Sequence, residues 1–247
     1  MIFRYSGNKW KILAKLNIQL PPHKRLVEGY LGSGAFLLSR TGPSLGIDVN
    51  PNVIDIWKWL QTTTPQRLHE LEKIRQDAVA NDPNNKPDVR DIKNISKEEM
   101  LYMRVNVTGV YVGQLSSWKI YPKWKLPVEK TVKYLDRVKE IDLILGSVHT
   151  EYKEADGDLI FLDPPYAGTK GNYKQDGKKG VEESYCPQDT VNLISKLSCP
   201  VILTYGTDAK EVFPQYKWIE VLRKKVPLIR KGGTLERIEH VSFINFP

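Results

Sequence analysis

One short stretch restricts the possible folds of this chain more than any other. Leu159–Leu162 is a run of four apolar residues, and Asp163–Tyr166, with the sequence Asp-Pro-Pro-Tyr, follows it directly. A strand that is apolar at every position is buried on both faces, as happens in a parallel sheet covered by helices. The two prolines end the strand, because proline lacks the N–H that a sheet ladder needs. The stretch therefore predicts an α/β fold.

The N-terminal quarter predicts a β-α-β unit of the same sheet. Arg25–Glu28 is a predicted strand, Gly29–Gly34 a glycine-rich turn, Ala35–Ser39 a predicted helix and Leu45–Val49 a second strand. The glycine turn lets the backbone approach a ligand, and an acid ending the second strand can accept hydrogen bonds from ribose hydroxyls. Position 37 is leucine, so the turn is not a full GxGxxG and a dinucleotide site is poorly supported. The predicted ligand contacts are Gly32, Ser33, Gly34 and Asp48.

The middle of the chain interrupts this pattern. Pro65–Val79 is a predicted helix, and Ser96–Glu99 has the spacing of a capping box before another helix. Val107–Leu126 is rich in glycine, serine, aromatic and basic residues without a helical period, whereas Val128–Ile141 is a predicted amphipathic helix. We therefore predict an inserted, mostly helical recognition region at 60–140, within a core formed by 1–59 and 141–247.

The core pattern resumes after the insert. Pro187–Leu197 is a predicted helix and Pro200–Tyr205 a second fully apolar strand. Trp218–Leu222 and Val241–Phe246 are the predicted final strands. We expect these last two strands to form an antiparallel pair at the edge of the sheet.

Composition narrows the possible classes of protein. Of the 247 residues, 40% are hydrophobic and 27% charged, as in ordinary globular chains, which excludes a disordered or fibrous protein. No apolar run approaches the roughly 20 residues of a membrane helix. Cys186 and Cys199 have neither the spacing of a metal site nor the number for a disulfide framework. We expect a cytoplasmic protein with no membrane partner.

The net charge of +8 is concentrated in three segments. Residues 1–25 contain six basic residues and no acid, Lys119–Lys139 seven basic and two acidic, and Arg223–Arg237 six basic and one acidic. Clustered lysine and arginine neutralise phosphates and release counterions, so these segments are candidate contacts to nucleic acid. A solvated basic surface is the alternative interpretation, because net charge also serves solubility.

The tetrapeptide Asp163–Tyr166 can hold an amino group. Its prolines remove two N–H donors, which leaves carbonyl oxygens and the Asp163 carboxylate as acceptors. The exocyclic amino nitrogen of a base has its lone pair delocalised into the ring, and acceptors on both hydrogens draw that nitrogen toward a tetrahedral, nucleophilic form. Tyr166 adds an aromatic face on which an extruded base can stack. The predicted catalytic residues are Asp163, Pro164, Pro165 and Tyr166.

With these motifs, nearly the whole chain resembles the Dam-like adenine-N6 branch of the amino-methylating DNA methyltransferases. Residues 3–9 are similar to the family's opening segment, residues 28–34 to its glycine motif, and Asp163–Tyr166 matches its catalytic motif. The resemblance implies a Rossmann-like methyltransferase sheet with helices on both faces, S-adenosyl-L-methionine as cofactor, S-adenosyl-L-homocysteine as product, and no metal. The implied cofactor contacts are Tyr5, Lys9, Glu28, Tyr30, Gly32, Ser33, Gly34, Asp48 and Asp163.

The resemblance also implies double-stranded DNA as the partner, with the target adenine flipped out of the helix. We expect a monomer or weak dimer. Other acceptors of the methyl group stay open: N4 of cytosine, or adenine in RNA. A non-catalytic DNA-binding relative is the third alternative, against which the intact Asp163–Tyr166 motif argues. The candidate DNA contacts are Lys119, Lys123, Lys125, Tyr173 and Arg230.

Overall fold

The computed structural model describes residues 2–5, 9–15, 20–81, 86–108, 118–166, 185–227 and 234–247. The strands in these residues are β1 (Arg25–Glu28), β2 (Ser44–Asp48), β3 (Ile141–Leu145), β4 (Asp158–Leu162), β5 (Val201–Tyr205), β6 (Ile219–Pro227) and β7 (Thr234–Ile244). The α-helices are α1 (Trp10–Lys15), α2 (Pro51–Thr62), α3 (Pro65–Asn81), α4 (Lys97–Val107), α5 (Val128–Lys139), α6 (Val148–Glu151), α7 (Pro187–Ile194) and α8 (Ala209–Val212).

All of these strands belong to one sheet in the order β3-β2-β1-β4-β5-β7-β6. The first five are parallel, whereas β7 runs antiparallel to both β5 and β6. The central neighbours β1 and β4 are the point where the strand order reverses, and Glu28 is paired there with Phe161. Ligands of open α/β sheets bind beyond the carboxyl ends of strands at such a point. The topology therefore brings the glycine turn after β1 next to Asp163 after β4.

Helices cover both faces of the sheet, as the sequence predicts. Along β4, Leu159 and Phe161 pack in the cluster that contains α2, α4 and α5, whereas Ile160 and Leu162 pack in the cluster that contains α6 and α7. Successive side chains of a strand point to opposite faces, and every residue of β4 is buried. The apolar run thus reflects burial on two sides, and the predicted α/β fold is confirmed.

Side-chain caps begin the helices α2 and α4, the second at the predicted position. The Asn50 side chain accepts a hydrogen bond from the backbone N–H of Asn52, and Pro51 occupies the first turn of α2. At α4, the Ser96 side chain accepts from the N–H of Glu99, while the Glu99 carboxylate accepts from the N–H of Ser96 at 2.8 Å. These reciprocal bonds satisfy N–H groups that lack partners within the helix, so α4 begins where its sequence predicts.

Three predicted elements differ from the structure. In the Ala35–Ser39 segment only Leu37–Ser39 is helical, as a single 3-10 turn, because the chain is extended again at Arg40 to enter β2. The helix predicted to reach Ile141 ends at Lys139, and Ile141 begins β3, whose weak apolar pattern reflects its place at the sheet edge. The final hairpin is longer than predicted, and of its two strands only β6 lies at the sheet edge, since β7 lies between β5 and β6.

The helices of the predicted insert pack directly on the central sheet. Leu101 and Tyr102 of α4 and Leu135 of α5 belong to the same hydrophobic cluster as Leu26 of β1. The Arg137 guanidinium of α5 donates to the Leu37 and Gly42 carbonyls, at 3.2 and 2.7 Å. Helices α3 to α5 therefore share a continuous core with the sheet, and the 60–140 boundary stays a prediction about function.

Candidate active site

The carboxyl ends of the central strands enclose an open pocket of about 790 Å³. This volume includes the part of the pocket that is open to solvent. One wall is the glycine turn after β1, the second is the end of β2, and the third is Asp163 and Pro165 after β4. The lining residues are Tyr5, Lys9, Glu28, Gly29, Tyr30, Leu31, Gly32, Ser33, Ala35, Asp48, Val49, Asn50, Ser147, Val148, Asp163 and Pro165.

The glycine turn is held between two aromatic rings. Gly32 has a φ of +46°, and a Cβ there would lie 2.7 Å from two ring carbons of Tyr5. Gly34 has a φ of +62°, and its Cβ would lie 2.4 Å from the Trp57 ring. The Trp57 indole also donates a 2.9 Å hydrogen bond to the Gly32 carbonyl. Gly32 and Ser33 thus face the pocket, whereas Gly34 is required for packing and does not line it.

Asp48 lies directly beside this turn. Its Oδ2 accepts a hydrogen bond from the Gly32 N–H and its Oδ1 from the Asn50 N–H, both at 2.8 Å. Burial raises the pKa of Asp48 to about 6, against the two N–H donors, which lower it. The carboxylate is therefore ionised at neutral pH, and its remaining lone pairs can accept hydroxyl donors from a ligand.

Glu28 and Tyr30 also line the pocket, as predicted for ligand contacts. Burial raises the pKa of Glu28 to about 8, against the opposing effect of hydrogen bonds from the Leu37 and Phe36 N–H groups. The Tyr30 hydroxyl lies 2.9 Å from His149 Nε2 and 3.3 Å from the Thr190 hydroxyl. Both side chains are thus tied to the protein, Glu28 to the 3-10 turn and Tyr30 to helices α6 and α7.

The protein binds one of the two oxygens of the Asp163 carboxylate, Oδ1. This oxygen lies 2.9 Å from Lys9 Nζ and accepts a 2.9 Å hydrogen bond from the Thr204 hydroxyl. A third donor, the Tyr166 hydroxyl, lies 3.4 Å from the same oxygen. Burial raises the pKa of Asp163; Lys9 opposes this effect and the charge of Glu239 adds to it. Among the described residues no donor contacts Oδ2, so one acceptor oxygen is available to a ligand in the pocket.

Lys9 and Tyr166 contact each other beside this carboxylate. Lys9 Nζ donates a 2.6 Å hydrogen bond to the Tyr166 hydroxyl and lies 4.8 Å from the centre of its ring. The Tyr166 hydroxyl donates to Glu239 Oε2 at 2.7 Å, and its ring centre lies 4.8 Å from that of Tyr205. Lys9, expected to contact a cofactor, thus lines the pocket and also contacts the Asp163–Tyr166 motif.

Sequence reasoning missed several residues of this site. Thr204 is the last residue but one of β5, so it could have been predicted from the rule that ligands bind at strand ends. The same holds for Ser147 and Val148, which follow the unpredicted strand β3. Glu239 gives no local signal, because only the antiparallel pairing of β7 with β5 brings it near Tyr166.

The three predicted DNA contacts that the structure describes do not line the pocket. Lys119, Lys123 and Lys125 are exposed, and Lys119 Nζ lies 3.8 Å from Asp88 Oδ2. Tyr173 and Arg230 lie outside the described residues. Within the described ranges, no group of three or more His, Cys, Asp or Glu side chains is arranged to hold a metal ion. A search of the same residues finds no helix long and apolar enough to cross a membrane.

The chain is similar in sequence to known DNA adenine methylases. Over 193 residues the chain is 26% identical to the retron Ec67 DNA adenine methylase of Escherichia coli, covering 71% of this chain and 67% of that protein. Over 184 residues it is 26% identical to a DNA adenine methylase of Vibrio cholerae serotype O1, covering 66% and 64%. The matched part of the chain thus spans about two-thirds of these relatives.

The chain was also compared with solved structures and with protein families. The 23S rRNA methyltransferase ErmE superimposes with a TM-score of 0.38 and 10% identity, over 100% of this chain and 71% of that chain, which is too loose to inform the site. The family profile matches residues 5–225, from the aromatic residue over the glycine turn to strand β6. The chain that places a glycine turn, Asp48 and Asp-Pro-Pro-Tyr around one pocket therefore belongs to the D12 class N6 adenine-specific DNA methyltransferases.

Proposed function

We propose that this protein transfers a methyl group from S-adenosyl-L-methionine to N6 of an adenine in double-stranded DNA, leaving S-adenosyl-L-homocysteine. One observation carries the proposal: Asp163 has one oxygen bound by the protein and one without a donor among the described residues, in the pocket that the glycine turn also lines. Membership of the D12 class and the DNA adenine methylase relatives support adenine as the target base.

The pocket residues fit the proposed cofactor. Asp48 and Glu28 are acids with raised pKa values, about 6 and 8, and both border the glycine turn. Buried acids of this kind are stabilised by hydroxyl donors or by a cation, and the cofactor carries ribose hydroxyls, an amino group and a sulfonium. We assign Tyr5, Lys9, Glu28, Tyr30, Gly32, Ser33, Asp48 and Asp163 to this site, while Gly34 shapes the turn from behind the pocket. When bound, S-adenosyl-L-methionine supplies an electrophilic methyl group.

The acceptors of the Asp163–Tyr166 motif then hold the target amino group. Asp163 Oδ2 and the Pro164 carbonyl accept its two hydrogens, which draws the lone pair of N6 out of the ring. Transfer needs the N6 nitrogen, the methyl carbon and the sulfur of the cofactor in one line. Orientation of the two substrates therefore provides most of the rate enhancement. Asp163 acts here as an acceptor and positioning group, and the amino proton leaves to solvent after transfer.

The adenine must leave the duplex to reach this site. Extrusion costs a few kcal/mol, which protein contacts to the flipped base and the DNA backbone offset. We assign the stacking surface to Tyr166, whose hydroxyl is fixed by hydrogen bonds to Lys9 and Glu239. Pro165 lines the pocket beside it and restricts the backbone of the same motif.

The insert at 60–140 contains a surface suited to the DNA backbone. Tyr121 and Trp124 have ring centres 5.0 Å apart, with Lys86 Nζ 4.2 Å from the Tyr121 ring and the Arg4 guanidinium 4.0 Å from the Trp124 ring. Exposed lysines flank these rings in sequence: Lys119, Lys123 and Lys125. Tyr173 and Arg230 stay candidate contacts from the sequence alone.

The experiment that tests the proposal uses unmethylated plasmid DNA. The protein is incubated with the plasmid and methyl-labelled cofactor, digested nucleosides are separated, and modified positions are read by single-molecule sequencing. We expect labelled N6-methyladenine at one short sequence. N4-methylcytosine, or label only when RNA is offered, would replace the proposed substrate with one of the alternatives. Absence of label on both nucleic acids would favour a non-catalytic DNA-binding relative.

A further inference from the structure

Glu239 is a carboxylate of the site that no sequence motif indicates. It lies on β7, next to His240, the residue that pairs with Tyr205 of β5. Its side chain is 13% exposed, and its Oε2 accepts a 2.7 Å hydrogen bond from the Tyr166 hydroxyl. The same oxygen lies 3.6 Å from Lys9 Nζ. Glu239 thus contacts two members of the site from outside the pocket lining.

Lys9 lies between two carboxylates as a result. Its side chain is 3% exposed, with Asp163 Oδ1 at 2.9 Å and Glu239 Oε2 at 3.6 Å. A buried ammonium needs paired charge, and it distributes its three donors over the acceptors within reach. Glu239 therefore takes a share of the positive charge of Lys9, which also contacts Asp163.

The Tyr166 hydroxyl also contacts both carboxylates. Glu239 lies at 2.7 Å and Asp163 at 3.4 Å. The short bond to Glu239 satisfies the hydroxyl proton. A stronger bond from Tyr166 to Asp163 Oδ1 would draw negative charge away from the carboxylate, and Oδ2 would become a weaker acceptor for the amino group of the substrate.

We propose that Glu239 is a positioning residue for methyl transfer, which fixes the Tyr166 hydroxyl and shares Lys9 so that the Asp163 carboxylate stays a strong acceptor for the target amino group. This role rests on the proposed function, because it concerns the amino group that Asp163 holds. Glu239 does not touch the substrate; it acts through Tyr166 and Lys9.

The electrostatics of Asp163 provide a signature of this role. The charged groups that face Asp163 are Lys9 at the start of α1, Glu239 on β7 and, at longer range, Glu28 on β1. The negative charge of Glu239 raises the pKa of Asp163. Removing that charge while keeping the side-chain shape therefore lowers the pKa of Asp163, which a purely structural contact would not do.

The kinetic test compares Glu239→Gln with Glu236→Gln. Glu236 is an exposed residue of the same strand, paired with Arg223 away from the pocket. At saturating DNA and cofactor we expect kcat of Glu239→Gln to fall by about 10- to 100-fold, as for loss of a hydrogen bond to a charged group, with KM for DNA within about twofold. We also expect the acid limb of kcat to move to lower pH. Glu236→Gln should keep the wild-type kcat and pH profile.

A second measurement does not depend on turnover. The Asp163 carboxyl carbon is titrated by NMR in protein with ¹³C-labelled aspartate, and its resonance is assigned by its loss in Asp163→Asn. We expect a lower Asp163 pKa in Glu239→Gln and no change in Glu236→Gln. An unchanged Asp163 pKa overturns the proposal, as does a wild-type kcat or a loss explained by a lower melting temperature. A wild-type protein without methyl transfer would instead contradict the proposed function, while the titration still decides how Glu239 acts on Asp163.

Discussion

Two aspartates at strand ends face the same pocket, and they are held in opposite ways. Asp48 accepts backbone N–H groups from Gly32 and Asn50, within 16 residues of itself. Asp163 is held by side chains, among them Lys9, which directly precedes α1, and Thr204 of β5. The hydrogen bonds of Asp48 thus depend on the shape of the glycine turn, whereas each of those to Asp163 can be lost by one side-chain substitution. We name the glycine turn with Asp48 the cofactor wall, and Asp163 with its side-chain donors the transfer wall, after the roles proposed for them.

The largest expected effect is at the transfer wall. Asp163→Asn keeps the shape of the side chain but replaces one acceptor oxygen with a donor, so it cannot hold the amino group. We expect methyl transfer to fall by about 100- to 1,000-fold or more, the size of losing a main electrostatic contact to a reacting group. Transfer of labelled methyl groups to plasmid DNA measures the rate. DNA binding by gel shift should persist, and near-normal transfer would sink the assignment of Asp163.

A smaller effect is expected when the cofactor wall itself is changed. Asp48→Ala leaves the Gly32 and Asn50 N–H groups without their acceptor and removes the proposed partner of the ribose hydroxyls. We expect the Kd of S-adenosyl-L-homocysteine to rise by about 10- to 100-fold, as measured by calorimetry. In the wild type the affinity should also weaken as the pH falls below about 6, because Asp48 is then protonated. An unchanged Kd would show that Asp48 serves only the turn.

A conservative change beside Asp163 tests the sensitivity of the transfer wall. Thr204→Val removes the hydroxyl that donates to Asp163 Oδ1 at 2.9 Å but preserves the side-chain shape. We expect kcat to fall about fivefold, corresponding to roughly 1 kcal/mol for one hydrogen bond. Thr204→Ser retains the hydroxyl and serves as the matched control. Equal rates for both variants would mean that this hydroxyl does not orient the carboxylate.

The smallest expected effect concerns Glu28, the acid that ends β1. Its pKa in the folded protein is about 8, raised by burial, so the unfolded chain ionises first as the pH rises. The stabilising contribution of the protonated form is therefore complete below about pH 4.5 and is lost toward pH 8. Relative to Glu28→Gln, we expect the wild-type melting temperature to fall between pH 5 and pH 8.5, by about 2–4 °C for each kcal/mol of this contribution that is lost. Parallel pH curves for both proteins would contradict the raised pKa.

The contrast between the two aspartates also explains which parts of the site can be predicted from sequence. The Asp48 environment is local: a glycine turn, one connecting segment and the next strand place Gly32 and Asp48 together. The Asp163 environment is not local, because Tyr166 is 157 residues from Lys9 and 73 from Glu239. A motif can identify Asp163, but the pairing of β7 with β5 decides which side chains surround it.

The same reasoning applies to the fold. The core strands β4 and β5 are predictable, since burial on both faces makes them almost continuously apolar, whereas β1 is predictable mainly from the glycine turn that follows it. Strand β3 lies at the sheet edge with mixed burial, and its sequence, Ile-Asp-Leu-Ile-Leu, follows a helix with one residue between them. An edge strand has only one neighbour to define it, so sequence pattern merges it with the helix before it.

The position of β7 has a consequence for how the protein matures during synthesis. Glu239 reaches Tyr166 only after β7 has paired with β5, whereas the residues of the cofactor wall precede it by almost two hundred positions in the chain. Because the ribosome releases the N-terminal part first, a nascent chain can form its cofactor pocket before its transfer chemistry is complete. An unfinished molecule could thus bind cofactor without methylating the DNA around it.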